Sequence, residues 1–144
     1  MPRTHDDGAD VQIEYPAEPG GAYRPGACNI GPYEIARRRR AGLFELGLVV
    51  AIAVVLVIVG APPLARLLVF PVLAGAIVSL EQARRHFCAG FAMAGIRNFG
   101  AREDIEHVAD PAAKAADRRA ALIMFGYSSL IAAAITALFV VLPI

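Results

Sequence analysis

Three apolar stretches decide what this chain can fold into. Leu43 to Ala61 holds a single charge, Leu67 to Leu80 holds none, and Ala120 to Ile144 holds none. A bilayer's hydrocarbon core, about 30 Å thick, takes roughly 20 helical residues to cross. In lipid every backbone polar group must be satisfied within the chain, so an isolated span has to be a helix. Over the 144 residues, 57% are hydrophobic and 19% charged, whereas a soluble domain carries about 25% charge. This balance excludes an ordinary water-soluble enzyme. Two cysteines and a net charge of +1 also exclude a disulfide-rich secreted domain and a basic nucleic-acid binder. The expected fold is an all-α membrane protein: an antiparallel transmembrane hairpin plus a third transmembrane helix, with a cytoplasmic N-terminus and a disordered N-terminal tail.

The chain divides into four parts on this reading. Residues 1–35 contain five Pro, five Gly and six acidic residues, a composition that buries too little apolar surface to offset its ordering entropy, and they are expected to form the disordered tail. Residues 36–100 hold the transmembrane hairpin and a following interfacial segment rich in Gly and Phe, residues 101–119 a polar cytoplasmic segment, and residues 120–144 the third transmembrane helix. In the first span, Glu45 lies one turn inside the interface, where pairing with arginine or snorkelling to water is expected, a proton or ion site being the alternative. Gly60-Ala61-Pro62-Pro63 punctuates the apolar stretch and predicts a tight connection. Pro71 predicts a kink in the second span, Leu64 to Leu80. Asp110-Pro111 predicts an N-cap and first residue for the third helix, well before its apolar part. Along that part Ser129, Ala133 and Ala137 recur every fourth residue, beside the row Ser128, Ala132 and Thr136. Small residues on one stripe let a second helix approach closely, so Ser129, Ala133 and Ala137 form a predicted packing surface for the hairpin or for another protein.

Orientation follows from the basic residues. Six precede the first span, only Arg66 belongs to the first connection, and seven lie between the second and third spans. The clusters Arg37, Arg38, Arg39 and Arg40, then Arg84 and Arg85, then Arg118 and Arg119 therefore share one side. By the positive-inside rule that side is cytoplasmic, which leaves the C-terminus outside. The expected location is the bacterial inner (plasma) membrane, as a multi-pass protein.

Few residues offer chemistry. Cys28 lies just before the arginine run and Cys88 just after the second span, both on the side where thiols stay reduced. Unpaired thiols, a redox-active pair, and a Zn or Cu(I) site completed by His86 and His107 are all open readings, because thiolate and imidazole suit those metals. No cofactor is otherwise predicted. In Phe87 to Gly100, Phe87, Phe91, Gly95 and Phe99 recur every fourth residue, which predicts an interfacial helix, with a re-entrant element as the alternative.

Asn29-Ile30-Gly31, Glu34, Arg37-Arg38 and Gly42, then two spans joined by a short turn, then Phe87-Cys88 and Ala94-Gly95-Ile96, resemble the small two-helix bacterial inner-membrane domain of unknown function that is sometimes fused to rhodanese sulfurtransferases. The resemblance covers about residues 28–100. It implies sulfur or thiol handling at Cys88 and Cys28. The chain departs from that pattern in its third span, in Ala89 where the pattern has Pro, and in holding no rhodanese domain in these residues.

Neither a phosphate-binding glycine loop, nor a His-Glu-x-x-His pair, nor a nucleophile elbow is present in the sequence, and no catalytic residue is assigned. The expected role is that of an accessory or scaffolding subunit that acts by helix packing. Its expected partners are the lipid bilayer and a membrane protein or a second copy of the chain, with no nucleic acid. The alternative is a cytoplasmic-face thiol-, sulfur- or metal-handling protein that uses Cys28, Cys88 and His86.

Overall fold

The computed structural model describes residues 23–100 and 104–144. Helix α1 spans Pro32–Ile58, opened by Gly31 as N-cap with Pro32 at its first position, where the missing N–H costs nothing. It stops in a Schellman arrangement: Gly60 is left-handed at φ +63°, its N–H reaches the Val57 carbonyl at 3.1 Å, and the Ala61 N–H reaches that of Leu56 at 2.9 Å. The tight connection expected at Gly60 to Pro63 thus rests on satisfying the last carbonyls of α1.

A 3₁₀ segment, Pro63–Leu68, runs into helix α2, Val69–Arg85. Pro71 is the third residue of α2, within the first turn, so its missing N–H lies among those the α-helix would leave unbonded anyway. The kink expected in mid-span is therefore replaced by a change of helix type ahead of the proline. The short helix α3, Ala89–Ala94, follows, then strands β1, Ile96–Asn98, and β2, Ile105–His107, which pair antiparallel with Arg97 opposite Glu106. Helix α4, Pro111–Val141, begins as its sequence predicts: the Asp110 carboxylate accepts from the Ala112 and Ala113 N–H groups at 3.1 and 3.3 Å.

Three helical stretches, Pro32–Ile58, Pro63–Arg85 and Pro111–Val141, are long and apolar enough to cross a membrane. Much of that apolar surface points outward: Phe44, Ile58, Leu64 and Leu130 are each more than 70% exposed. Exposed apolar surface on this scale marks a side that faces a membrane or a partner. Early α1 meets late α2. A Cβ at Gly42 would fall 2.7 Å from Leu80, and the carboxylate of Glu45 fills the space above Gly75. Glu45 accepts a hydrogen bond from the Ser79 hydroxyl at 3.0 Å and pairs with no arginine among the described residues. The expected arginine pairing is corrected to this inter-helix bond; Arg37 and Arg38 turn to Glu34, and Arg40 to the Ala36 carbonyl.

On α4 the row buried against the chain is Ala121, Met124, Ser128, Ala132 and Thr136. Ser129 is half-buried and Ala133 and Ala137 are exposed, so the predicted packing stripe lies on the outward side of the bundle. Two apolar clusters flank the buried row, one of Phe87, Ala89, Ala92, Ala121 and Met124, the other of Val49, Val69, Leu73 and Ala132. Arg66 is only 5% exposed. Its guanidinium donates to the carbonyls of Phe139 at 3.1 Å and Leu142 at 2.8 Å, and also to that of Ile144, placing a cation on the negative end of α4.

The expectation of a disordered tail over residues 1–35 needs correction from Tyr23 onward; residues 1–22 lie outside the described residues. Arg24 and Cys28 close a turn through Gly26, at φ +71°. Asp117 of α4, fully buried, receives the Tyr23 hydroxyl at 2.8 Å and the Gly26 N–H at 2.7 Å. Burial, together with this carboxylate, pushes the Tyr23 phenol up to about 12. The prolines and glycines counted as disorder signals here shape a turn and a helix start, and the anchor lies 91 to 94 residues away.

Candidate functional site

Buried Asn29, Glu34, Gln82 and Asn98 gather where the 23–31 segment meets the end of α2 and the start of α3. The element that brings them together is the loop after α2. His86 is left-handed at φ 56°, and its carbonyl receives the N–H groups of Asn29 and Ile30 at 3.2 and 3.4 Å. Asn29 is fully buried. Its Oδ1 accepts from the Cys88 N–H at 2.6 Å and its Nδ2 donates to the Cys88 carbonyl at 3.0 Å, so one amide mimics a paired strand. Its own carbonyl accepts from the Asn98 N–H at 3.0 Å, and the Gly31 N–H reaches the Asn98 carbonyl at 2.8 Å. Gly31 is obligatory here, because a Cβ would overlap the backbone carbonyl of Phe99. The side chain of Gln82 completes the frame by accepting from the Ala89 N–H at 3.0 Å.

At the centre stands Cys88, 1% exposed and the N-cap of α3. Its sulfur accepts from the Phe91 N–H at 3.4 Å and from Nη2 of Arg38 at 3.0 Å. Arg38 stacks over the Phe91 ring, 5.7 Å from its centroid. The same guanidinium lies 3.6 Å from the carboxylate of Glu34, itself 2% exposed, while Arg37 lies 3.4 Å from that carboxylate. One turn of α1 therefore places an acid and a base at i and i+4 and aims the base at a thiol. Nε of Arg38 is buried without a hydrogen-bond partner among the described residues. The arrangement holds the Cys88 sulfur as a hydrogen-bond acceptor beside a permanent cation.

The other sequence-predicted residues are placed less centrally. Cys28 is 1% exposed, and no disulfide joins it to Cys88. Burial pushes its thiol up from the usual cysteine range, against a smaller lowering by Arg24. His86 serves through its backbone. Among the described residues no group of three or more His, Cys, Asp and Glu side chains is gathered to hold a metal, so Cys28, Cys88 and His86 do not assemble the ligand set considered for Zn or Cu(I). Helix α3 ends at Gly95, left-handed at φ +70°, so Phe99 lies beyond β1. The expected continuous helix from Phe87 to Phe99 is cut to Ala89–Ala94.

The arginines read as topology determinants divide by partner. Arg38 turns inward, Arg37 meets Glu34, and Nε of Arg40 donates to the Ala36 carbonyl at 3.4 Å. Arg39, Arg118 and Arg119 are exposed, and Arg84 and Arg85 converge on Glu81. Sequence reasoning did not single out Asn98, Gln82 or Asp117. Asn98 and Asp117 acquire their roles from the 23–31 segment brought in by tertiary contact, and Gln82 from the turn after α2, seven residues on. Asn29, Ile30, Gly31, Glu34, Arg38 and Cys88 are drawn together here. No protein-family model matches the chain, and no curated protein or solved structure matches it.

Proposed function

We propose that the chain is a three-span protein of the bacterial inner membrane, an antiparallel transmembrane hairpin plus a third transmembrane helix, that acts by helix packing as an accessory or scaffolding subunit of a membrane complex. The N-terminus and the Asn29–Cys88 end are cytoplasmic and the C-terminus lies outside, in keeping with the distribution of Arg and Lys. The observation that carries the role is the outward face of α4. Ser128, Ala132 and Thr136 are used up inside the bundle, whereas Ala133 and Ala137 are exposed beside half-buried Ser129, and a Cβ at Gly126 would meet nothing within 4 Å. A partner helix could approach closely along that row.

The test is replacement of Ser129, Ala133 and Ala137 together by Leu in the natural membrane, followed by mild detergent extraction and native electrophoresis. The wild type is expected in a higher-mass complex and the variant as the lone chain. A wild type that runs as a monomer and recovers no membrane partner refutes the proposal.

A second reading, thiol or sulfur handling on the cytoplasmic face, is favoured by the guanidinium of Arg38 at the Cys88 sulfur and agrees with what the family resemblance implies. Persulfide-selective labelling of protein isolated from cells, with Cys28→Ser and Cys88→Ser variants, tests it. Signal dependent on Cys88 supports the reading, and equal signal in both variants and the wild type refutes it.

A further inference from the structure

Where α2 ends, a groove of about 360 Å³ opens between Gly26 and Ala27 of the turn, Arg84, Arg85 and Phe87, and Ala120 and Met124 of α4. Its size falls in the range of small-molecule sites. Its walls are of two kinds. Phe87, Ala120 and Met124 make an apolar floor; Arg84 and Arg85 make a cationic rim.

The rim is held in place. Arg84 donates to Glu81 through Nε at 2.7 Å and Nη2 at 2.5 Å, and Arg85 donates to it through Nε at 2.6 Å. The Tyr127 hydroxyl donates to the same carboxylate at 2.5 Å, and the Arg85 guanidinium stacks 5.5 Å from the Tyr127 ring centroid. A guanidinium carries five N–H donors. These bonds leave donors on Nη1 of Arg84 and on both Nη atoms of Arg85 with no partner among the described residues, and the two side chains are 67% and 50% exposed. Glu81 neutralises one of the two cations. Asp117, the other acid near this end of α4, is occupied by Tyr23 and Gly26. Arg118 and Arg119 stand exposed in the turn just before Ala120, so positive charge remains in excess. Immediately beyond Ala120, the apolar surface of α4 begins with Leu122 and Ile123, both more than half exposed. The groove therefore lies where headgroups meet acyl chains.

We propose that this groove binds the phosphodiester headgroup of an anionic phospholipid, with Arg84 and Arg85 on the phosphate and the glycerol and first acyl carbons on Phe87, Ala120 and Met124. Ala120 at the edge of the floor stands three residues from exposed Ile123 on α4, which favours a lipid over a free anion, and the preorganised arginine pair favours an anionic headgroup over a zwitterionic one. The proposal rests on the membrane reading and is independent of the accessory role.

The test uses the full chain purified in mild detergent, delipidated, and titrated with phosphatidylglycerol or phosphatidylcholine. Binding is read by native mass spectrometry and stability by circular dichroism. Phosphatidylglycerol is expected to bind preferentially and raise the melting temperature. R84Q/R85Q is expected to bind it about 25-fold more weakly, at roughly a fivefold loss per arginine. R39Q/R40Q, which removes the same charge outside the groove, should bind as the wild type does. A120L keeps both arginines and fills the floor, so it must also lose the preference; it decides the matter should R84Q/R85Q fail to fold. Equal retention of the two lipids by the wild type, or phosphatidylglycerol binding unchanged in A120L, overturns the proposal. So does displacement of phosphatidylglycerol by equimolar glycerol 3-phosphate, since the site would then recognise a free phosphate. Release of the chain from membranes by alkaline carbonate refutes the membrane reading itself, and with it this site.

Discussion

Asn29 holds Cys88 in place through two hydrogen bonds, and removing its amide should release the thiol. In Asn29→Ala the Cys88 N–H loses its acceptor at 2.6 Å in a segment with almost no solvent contact, while the Cys88 carbonyl loses one donor at 3.0 Å and keeps the Ala92 N–H at 3.0 Å. The one buried N–H left unpaired costs about 1–3 kcal/mol, and a central value of about 2 kcal/mol is about 30-fold in a local opening equilibrium. Cys88 is 1% exposed, so alkylation must wait for that opening. In a Cys28→Ser background, with maleimide as reagent and mass spectrometry as readout, the labelling rate of Cys88 should rise about 30-fold. Asn29→Asp is the sharper comparison. It keeps the acceptor for the Cys88 N–H but sets a carboxylate oxygen against the Cys88 carbonyl, and should open the loop at least as far. Labelling of Asn29→Ala within about threefold of the wild type would refute the reasoning, because the paired bonds would then not be what closes the site.

Arg66→Met removes the cation from the end of α4 and leaves the carbonyls of Phe139 and Leu142 without it; thermal unfolding in detergent should show a loss of about 2–4 kcal/mol, and an unchanged midpoint would argue against the clamp. Gly31→Ala should prevent the 23–31 segment from docking, because the new Cβ overlaps the Phe99 carbonyl, and limited proteolysis should then cut between Tyr23 and Gly31 while α4 stays intact. The Tyr23 phenol is raised to about 12 by burial and by Asp117. Its folded pKa thus exceeds the unfolded value near 10, so its contribution is complete below about pH 10 and is lost as pH rises toward 12. A Tyr23→Phe variant should lose less stability than the wild type across that window. The Cys28 thiol is likewise raised by burial, so in a Cys88→Ser background its alkylation should begin at a higher pH than that of a free cysteine.

The three long helices were legible because their signals are local and repeated: charge-free runs, Gly60 after the first, Asp110-Pro111 before the last. The polar frame around Cys88 was not. Asn29 acts on Cys88 across 59 residues, and Asp117 acts on Gly26 across 91. A buried amide that finds its partner only by tertiary docking leaves no periodic trace. The short strands are similar. Ile96–Asn98 and Ile105–His107 are too brief for an alternation to register, and Asn98 is set in place by Asn29 and Gly31 as much as by β2. The packing stripe on α4 was open to two readings for another reason. Its two rows of small residues differ by one position, and only the register of α4 against α2 decides which of them faces in. Pro71 reads as a mid-span breaker until the 3₁₀ segment before it is known.

The clamp at Arg66 also sets an order of events during synthesis. Arg66 emerges 78 residues before the last carbonyl it binds, that of Ile144. At about 5–20 residues per second that interval is roughly 4–16 s. For that time the first two helices exist with a cation at the start of the second and no helix end to receive it. A nascent chain halted before α4 therefore carries an arginine without the helix end that receives it in the finished protein.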